Sequence, residues 1–153
     1  MATDVIKAAG DPQIGNLATP INSSGLTKAF IQNLPIYRHG LTISRRALEI
    51  GMAHGYLFYG PFAKLGPLRN TDTSNLAGVL ATCGFILFLK VGLSLYASTN
   101  PAAPLANLAA PAPVGFDGKG WKEFSRSFLI GGLGGAVFAG GLVFLGETFG
   151  FLS

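Results

Sequence analysis

This chain has little of what a catalytic or metal-cage protein needs. Its 153 residues include a single cysteine, Cys83, which excludes an internal disulfide framework and any zinc or iron–sulfur cage built from several cysteines of this chain. Two histidines, His39 and His54, are too few for a histidine-rich metal site. Charged residues make up 12% of the sequence, against roughly 25% in soluble domains. The formal charge of +4 is not gathered into a dense Lys/Arg patch with interleaved aromatics, so a nucleic-acid surface is not indicated. Nucleotide loops, nucleophile–base–acid sets and zinc signatures are lacking. Residues 1–30 carry Asp4, Asp11, Pro12 and Pro20 and no long apolar run, so no signal peptide is read there.

What is abundant points to lipid. Hydrophobic residues reach 49%, and the 22 glycines are about twice the usual share, as in helices that approach closely within a membrane. Three apolar stretches follow a polar, turn-rich region over residues 1–46, where Leu26, Phe30, Ile31 and Leu34 also predict a short amphipathic helix over 26–34. The stretches are 47–63, 76–97 and 127–146. The third has no charge, the second only Lys90, and the first is broken by Glu49, His54 and Pro61. About 20 largely apolar residues are needed to cross a bilayer, so the first crosses only if other helices shield its polar groups. The expected architecture is an all-α membrane protein: a polar N-terminal region over 1–46, then a three-span domain over 47–153. A proline-stiffened loop with Pro101, Pro104, Pro111 and Pro113 joins spans two and three.

Lys and Arg counts set the expected orientation. Lys7, Lys28, Arg38, Arg45 and Arg46 precede span one, and Lys119, Lys122 and Arg126 precede span three on the same side. Only Lys64 and Arg69 lie opposite. This predicts a cytoplasmic N-terminus and a C-terminus on the far side.

The chemically telling residues are Glu49 and His54. A charged side chain at the centre of a membrane helix costs about 2.5–3.5 kcal/mol on insertion scales, so such groups need partners. Five residues on a helix correspond to about 140° of rotation and about 7.5 Å of rise, so the two point to different faces. Two readings stand for each. Glu49 pairs with Arg45 or Arg46, or its carboxylate ligates a hard Mg²⁺ centre. His54 is satisfied by a helix carbonyl, or its neutral nitrogen serves as an axial ligand. A bis-histidine haem site fails on count, because His39 lies outside the spans. Small residues at 131/135 and 132/136/140 form stripes that pack within the chain or against a pigment or another subunit. Lys90 is read as snorkelling, Cys83 as a small buried residue, and Trp121 with Phe116 and Phe124 as an interfacial anchor. A polar path through Glu49, His54 and Lys90, as in a small channel or transporter component, is the alternative. It needs those groups on one surface.

Several segments resemble one family. They are Gly10-Asp-Pro-Gln-Ile-Gly-Asn-Leu-Ala-Thr-Pro-Ile21, Asn33-Leu-Pro-Ile-Tyr-Arg-His-Gly-Leu41, Leu48-Glu-Ile-Gly-Met-Ala-His-Gly-Tyr56, Gly60-Pro61, Leu65-Gly-Pro-Leu-Arg69 and Gly120-Trp121. They are similar to photosystem I reaction centre subunit XI, over about residues 10–145. The resemblance implies a non-catalytic three-span subunit of the thylakoid membrane. It implies bound antenna chlorophylls and carotenoids, neighbouring reaction-centre subunits, and a part in the contact between monomers of a trimer. It also implies that Glu49 and His54 are axial ligands to chlorophyll magnesium. Many members of the family carry an acidic residue where this chain has Asn70, at a position associated with a metal ion. Asn adds no charge to a cation site, so no metal site is expected here.

Overall fold

A computed structural model describes residues 7–8, 17–104 and 112–150. Part of the quoted Gly10–Ile21 segment, part of the proline-stiffened loop and the end of the C-terminal tail lie outside these. The described chain is helical apart from one two-residue antiparallel pairing. In it, β1 (Lys7–Ala8) meets β2 (Leu17–Ala18) in the register Lys7 with Ala18 and Ala8 with Leu17. Four helices follow: α1 (Gly25–Asn33), α2 (Ile43–Leu65), α3 (Ser74–Ser98) and α4 (Gly118–Thr148).

Helices α1, α2 and α4 start where the sequence supplies an oxygen for a free backbone N–H. The side chains of Ser24, Thr42 and Asp117 accept from the backbone amides of Thr27, Arg45 and Gly120, and such caps contribute about 1 kcal/mol each. The N-cap of α3, Thr73, makes no such bond. Gly40, at φ 77°, turns the chain towards the cap of α2 in a conformation that L side chains rarely adopt. Helix α2 runs through Pro61, which removes one ladder bond near its end.

By length and composition α3 and α4 are long and apolar enough to cross a membrane; α2 does not meet the same measure. The reason is local. Arg45, Arg46 and Glu49 occupy its first two turns and Lys64 its last, leaving the 14 residues from Ile50 to Ala63 uncharged. At 1.5 Å per residue that stretch is about 21 Å, short of the roughly 30 Å hydrocarbon thickness.

The long helices pack as a three-helix unit, with α2 and α4 parallel and α3 antiparallel to both. Carbonyls of α4 meet glycines of α2. A Cβ on Gly51 would lie 2.2 Å from the Phe128 oxygen, and one on Gly55 would lie 1.9 Å from the Gly132 oxygen. The reverse also holds, with Gly131 against Leu48 and Gly135 against Met52 at 2.1 and 2.2 Å. Gly132 faces Ile86, and Gly140 faces Val79 of α3. Both small-residue stripes of α4 therefore contact helices of this same chain, and Ala136 is fully buried between them. Only small residues allow so close an approach in a medium without a hydrophobic driving force between helices.

The larger core cluster gathers Ala47, Ile86, Ala97, Phe116, Trp121, Phe124 and Phe128 at the end where α2 and α4 begin; a smaller one holds Tyr59, Ala63 and Ala139. Trp121, read from the sequence as an interfacial anchor, packs within the larger cluster. Helix α4 starts nine residues before the expected span, so Trp121 lies on its first turn and is buried within the chain. Its indole N–H donates to the Pro101 carbonyl at 3.2 Å, and its ring meets Phe116 at 4.7 Å and Tyr96 at 5.1 Å. Cys83 is only partly buried. The amphipathic helix expected over 26–34 is present as α1, but Leu26 and Phe30 remain exposed.

Candidate functional site

The N-terminal half of α2 places two potential ligands in different surroundings. Glu49 stands two turns into the helix with its side chain 25% exposed. Arg45, one turn earlier on the same helix, donates from Nε to Oε1 at 3.2 Å. Arg38 reaches in from the loop before α2, and its Nη2 donates to Oε2. The spacing had named Arg45 or Arg46 as partner. Arg45 fits, but Arg46 does not take part. It is buried on the inner face, and its Nη1 donates to the carbonyls of Pro35 and Ile36, both at 2.8 Å. Its Nε is buried without a hydrogen-bond partner among the described residues.

His54 lies about a turn and a half further along. Its Nδ1 is 2.7 Å from the Ile50 carbonyl of the preceding turn. A carbonyl oxygen only accepts, so Nδ1 carries the hydrogen. In the neutral ring, Nε2 then keeps a lone pair. The imidazole is partly buried and meets the rings of Phe58 at 5.7 Å and Phe128 at 5.4 Å. The helix-carbonyl reading and the ligand reading of His54 are thus compatible, because they use different nitrogens. The aromatic contacts continue to Phe85 of α3, whose ring lies 4.9 Å from that of Phe58.

Glu49 and His54 do not share a partner. The first faces guanidinium groups, the second a carbonyl and aromatic rings. Lys90 is partly buried on α3, and the ion pairs of Glu49 are with Arg38 and Arg45 rather than with it. The three groups needed for a polar path are not joined.

Further polar ties hold the helices around these residues. Tyr59 donates from its hydroxyl to Asn75 at 2.8 Å, and the Asn75 amide donates to the Gly140 carbonyl at 3.1 Å, joining α2, α3 and α4 at one end. At the other end Ser125, fully buried, meets Ser94 at 2.9 Å and donates to the Lys90 carbonyl at 3.2 Å. Sequence reasoning missed Arg38, and it missed Gly51 and Gly55. The glycine pair was visible as a small-x-x-x-small spacing inside the quoted motif. No periodic rule points to Arg38, which lies outside any helix.

This arrangement offers two oxygen or nitrogen donors, one anionic and one neutral, on different faces of one helix. Comparison with known proteins agrees with the motifs. The family model for photosystem I reaction centre subunit XI matches residues 4–147. A photosystem I reaction center subunit XI of Synechococcus elongatus is 57% identical over 143 residues, covering 91% of this chain and 86% of that protein. Its counterpart in Mastigocladus laminosus is 57% identical over 137 residues, covering 88% and 79%. The one in Picosynechococcus is 57% identical over 141 residues, covering 91% and 93%. With its three helices packed through glycine and its Glu49/His54 motif inside the matched span, the chain belongs to the photosystem I reaction centre subunit XI family.

Proposed function

We propose that this chain is a non-catalytic accessory subunit of photosystem I in the thylakoid membrane, where it holds pigments and contributes to the contact between monomers. The hydrogen bond from His54 Nδ1 to the Ile50 carbonyl carries the reading. It leaves a lone pair on Nε2 of a partly buried imidazole, as a magnesium ligand requires, while Nδ1 is satisfied by the helix. Glu49 also suits the role. A carboxylate offers about four lone-pair sites, and the two guanidinium bonds leave others free. His54 and Glu49 would each hold the magnesium of a separate chlorophyll. The pigment absorbs light and passes excitation on; the chain fixes its position and excludes water around it. Exposed apolar side chains on the outer faces, among them Phe88 on α3 and Phe138 and Phe144 on α4, suit carotenoid, lipid or neighbouring subunits.

In this reading all three long helices cross the membrane, and α2 does so with its charges at its ends. Arg38, Arg45, Arg46, Lys119, Lys122 and Arg126 gather where α2 and α4 begin, and Lys64 and Arg69 lie at the opposite end. The first end is cytoplasmic by the bias of basic residues. Protease added outside sealed thylakoids should then remove the region before Arg46; protection of that region with loss of the C-terminus would reverse the orientation.

The test of the site is pigment quantification in purified photosystem I carrying His54→Leu or Glu49→Leu. Each should lose or displace a different chlorophyll and change the low-temperature absorption spectrum differently. An unchanged pigment count and spectrum in both would show that the residues are structural.

A further inference from the structure

Among the described residues Glu49 is the one acidic side chain paired with arginines, and its two oxygens are engaged from two directions. Arg45 belongs to the same helix and is exposed. Arg38 belongs to the loop between α1 and α2, eleven residues before Glu49. That loop is fastened in return by Arg46, which donates to its Pro35 and Ile36 carbonyls. The loop thus gives one guanidinium to the helix and takes another from it. The crossed pair fixes where Arg38 stands.

The consequence for a ligand is chemical. A bare carboxylate is free to rotate and carries a full negative charge. With each oxygen engaged by a different guanidinium, its plane is set and its charge is offset, and both guanidinium groups bring positive charge close to whatever the carboxylate binds. Charge-assisted bonds of this kind are the strong ones and hold a planar group in a fixed orientation.

We propose that Arg38 and Arg45 are positioning residues for the Glu49 pigment: they set the orientation of the carboxylate and, through their charge, the energy at which that chlorophyll absorbs. This rests on the reading of Glu49 as a ligand. It makes the loop before α2 part of the pigment site, although none of its side chains touches magnesium.

The experiment compares low-temperature absorption and circular dichroism of purified photosystem I carrying Arg38→Gln, Arg38→Lys, Arg45→Gln or Glu49→Leu, with pigments counted in each. The expected result is a shifted band in Arg38→Gln at unchanged pigment count. That band should be the one lost or displaced in Glu49→Leu, and Arg38→Lys, which keeps the charge, should return it towards the parent position. If Arg38→Gln does not accumulate in the complex, Arg45→Gln carries the test, because Arg45 is exposed and fastens no loop. Spectra of Arg38→Gln and Arg45→Gln that match the parent while Glu49→Leu changes would overturn the proposal and leave Glu49 a ligand. A Glu49→Leu spectrum and pigment count equal to the parent would instead remove the reading beneath it.

Discussion

Helices α2 and α3 are nearly equal in length, 23 and 25 residues, and are built on opposite principles. Helix α3 is apolar almost throughout. Most of its large side chains, including Leu80, Leu87, Phe88, Val91 and Leu95, are exposed to whatever surrounds the chain. By length and composition it is apolar enough to cross a membrane, and polar and aromatic contacts tie it to its neighbours near its ends, through Asn75 at one and Ser94 and Tyr96 at the other. Helix α2 gives up apolar length to carry Arg45, Arg46, Glu49 and His54. It is held along its length by glycine contacts with α4. The difference teaches that in this fold the helix least suited to lipid by composition is the one that carries the ionisable groups Glu49 and His54. Its polar groups are satisfied by the loop before it and by the helix itself: Arg38 and Arg45 on Glu49, the Pro35 and Ile36 carbonyls on Arg46, and the Ile50 carbonyl on His54.

The largest expected effect tests how far α3 depends on its ends. Trp121→Ala empties the aromatic cluster against Tyr96 and removes the bond to Pro101; truncation of a buried Trp typically costs about 3–5 kcal/mol. The subunit should be lost from photosystem I at a lower temperature, as read by native gels after graded heating. Retention at the parent temperature would mean that the end of α3 is not held there.

The next contrast sets the two helices directly against each other. Gly55→Leu puts a side chain where a Cβ alone would lie 1.9 Å from the Gly132 oxygen, whereas a Cβ on Gly84 of α3 meets nothing within 4 Å. Overpacking typically costs about 1–3 kcal/mol, so Gly55→Leu should destabilise the subunit and Gly84→Leu should not. Thermal dissociation of the two variants measures the difference. Equal loss in both would break the comparison, since it would mean that the outer face of α3 is also tightly packed in the complex. Ala136→Leu, in the buried stripe of α4, should behave like Gly55→Leu; intact subunit with only monomeric photosystem I would instead mark that stripe as a surface between monomers.

The smallest effect is expected from Tyr59→Phe. It leaves the Asn75 side-chain oxygen without its donor but keeps the amide bond to Gly140, a change of about 1 kcal/mol. A modest fall in dissociation temperature, with the pigment spectrum unchanged, would sharpen the view that this end is structural and the Glu49/His54 end functional.

Much of this was legible in the sequence. Apolar runs of membrane length, broken only by Lys90 in the second, forecast α3 and α4, because in lipid a chain must satisfy its backbone within the helix itself. A run broken by Glu49, His54 and Pro61 corresponds to α2, a continuous helix over Ile43–Leu65. Periodicity separated Glu49 from His54, and the motif around them carried the family resemblance. Helix starts were less well placed. Helix α4 extends nine residues before the expected third span, because Gly118–Arg126 is polar on one side and aromatic on the other and so did not read as membrane-like.

Composition and spacing by themselves determined that this is an all-helical chain suited to lipid, with two ionisable groups on diverging faces of one helix. Those are local properties, set by residues within a few turns of one another. Only the tertiary structure decided that Arg38 rather than Arg46 joins Arg45 on Glu49, that Gly51 and Gly55 receive α4, and that Trp121 is enclosed by the chain. Each of these brings together residues from separate elements. Which arginine reaches a carboxylate, or which glycine meets a carbonyl, depends on how helices cross and where a loop is fastened. No rule of helical periodicity extends across that gap.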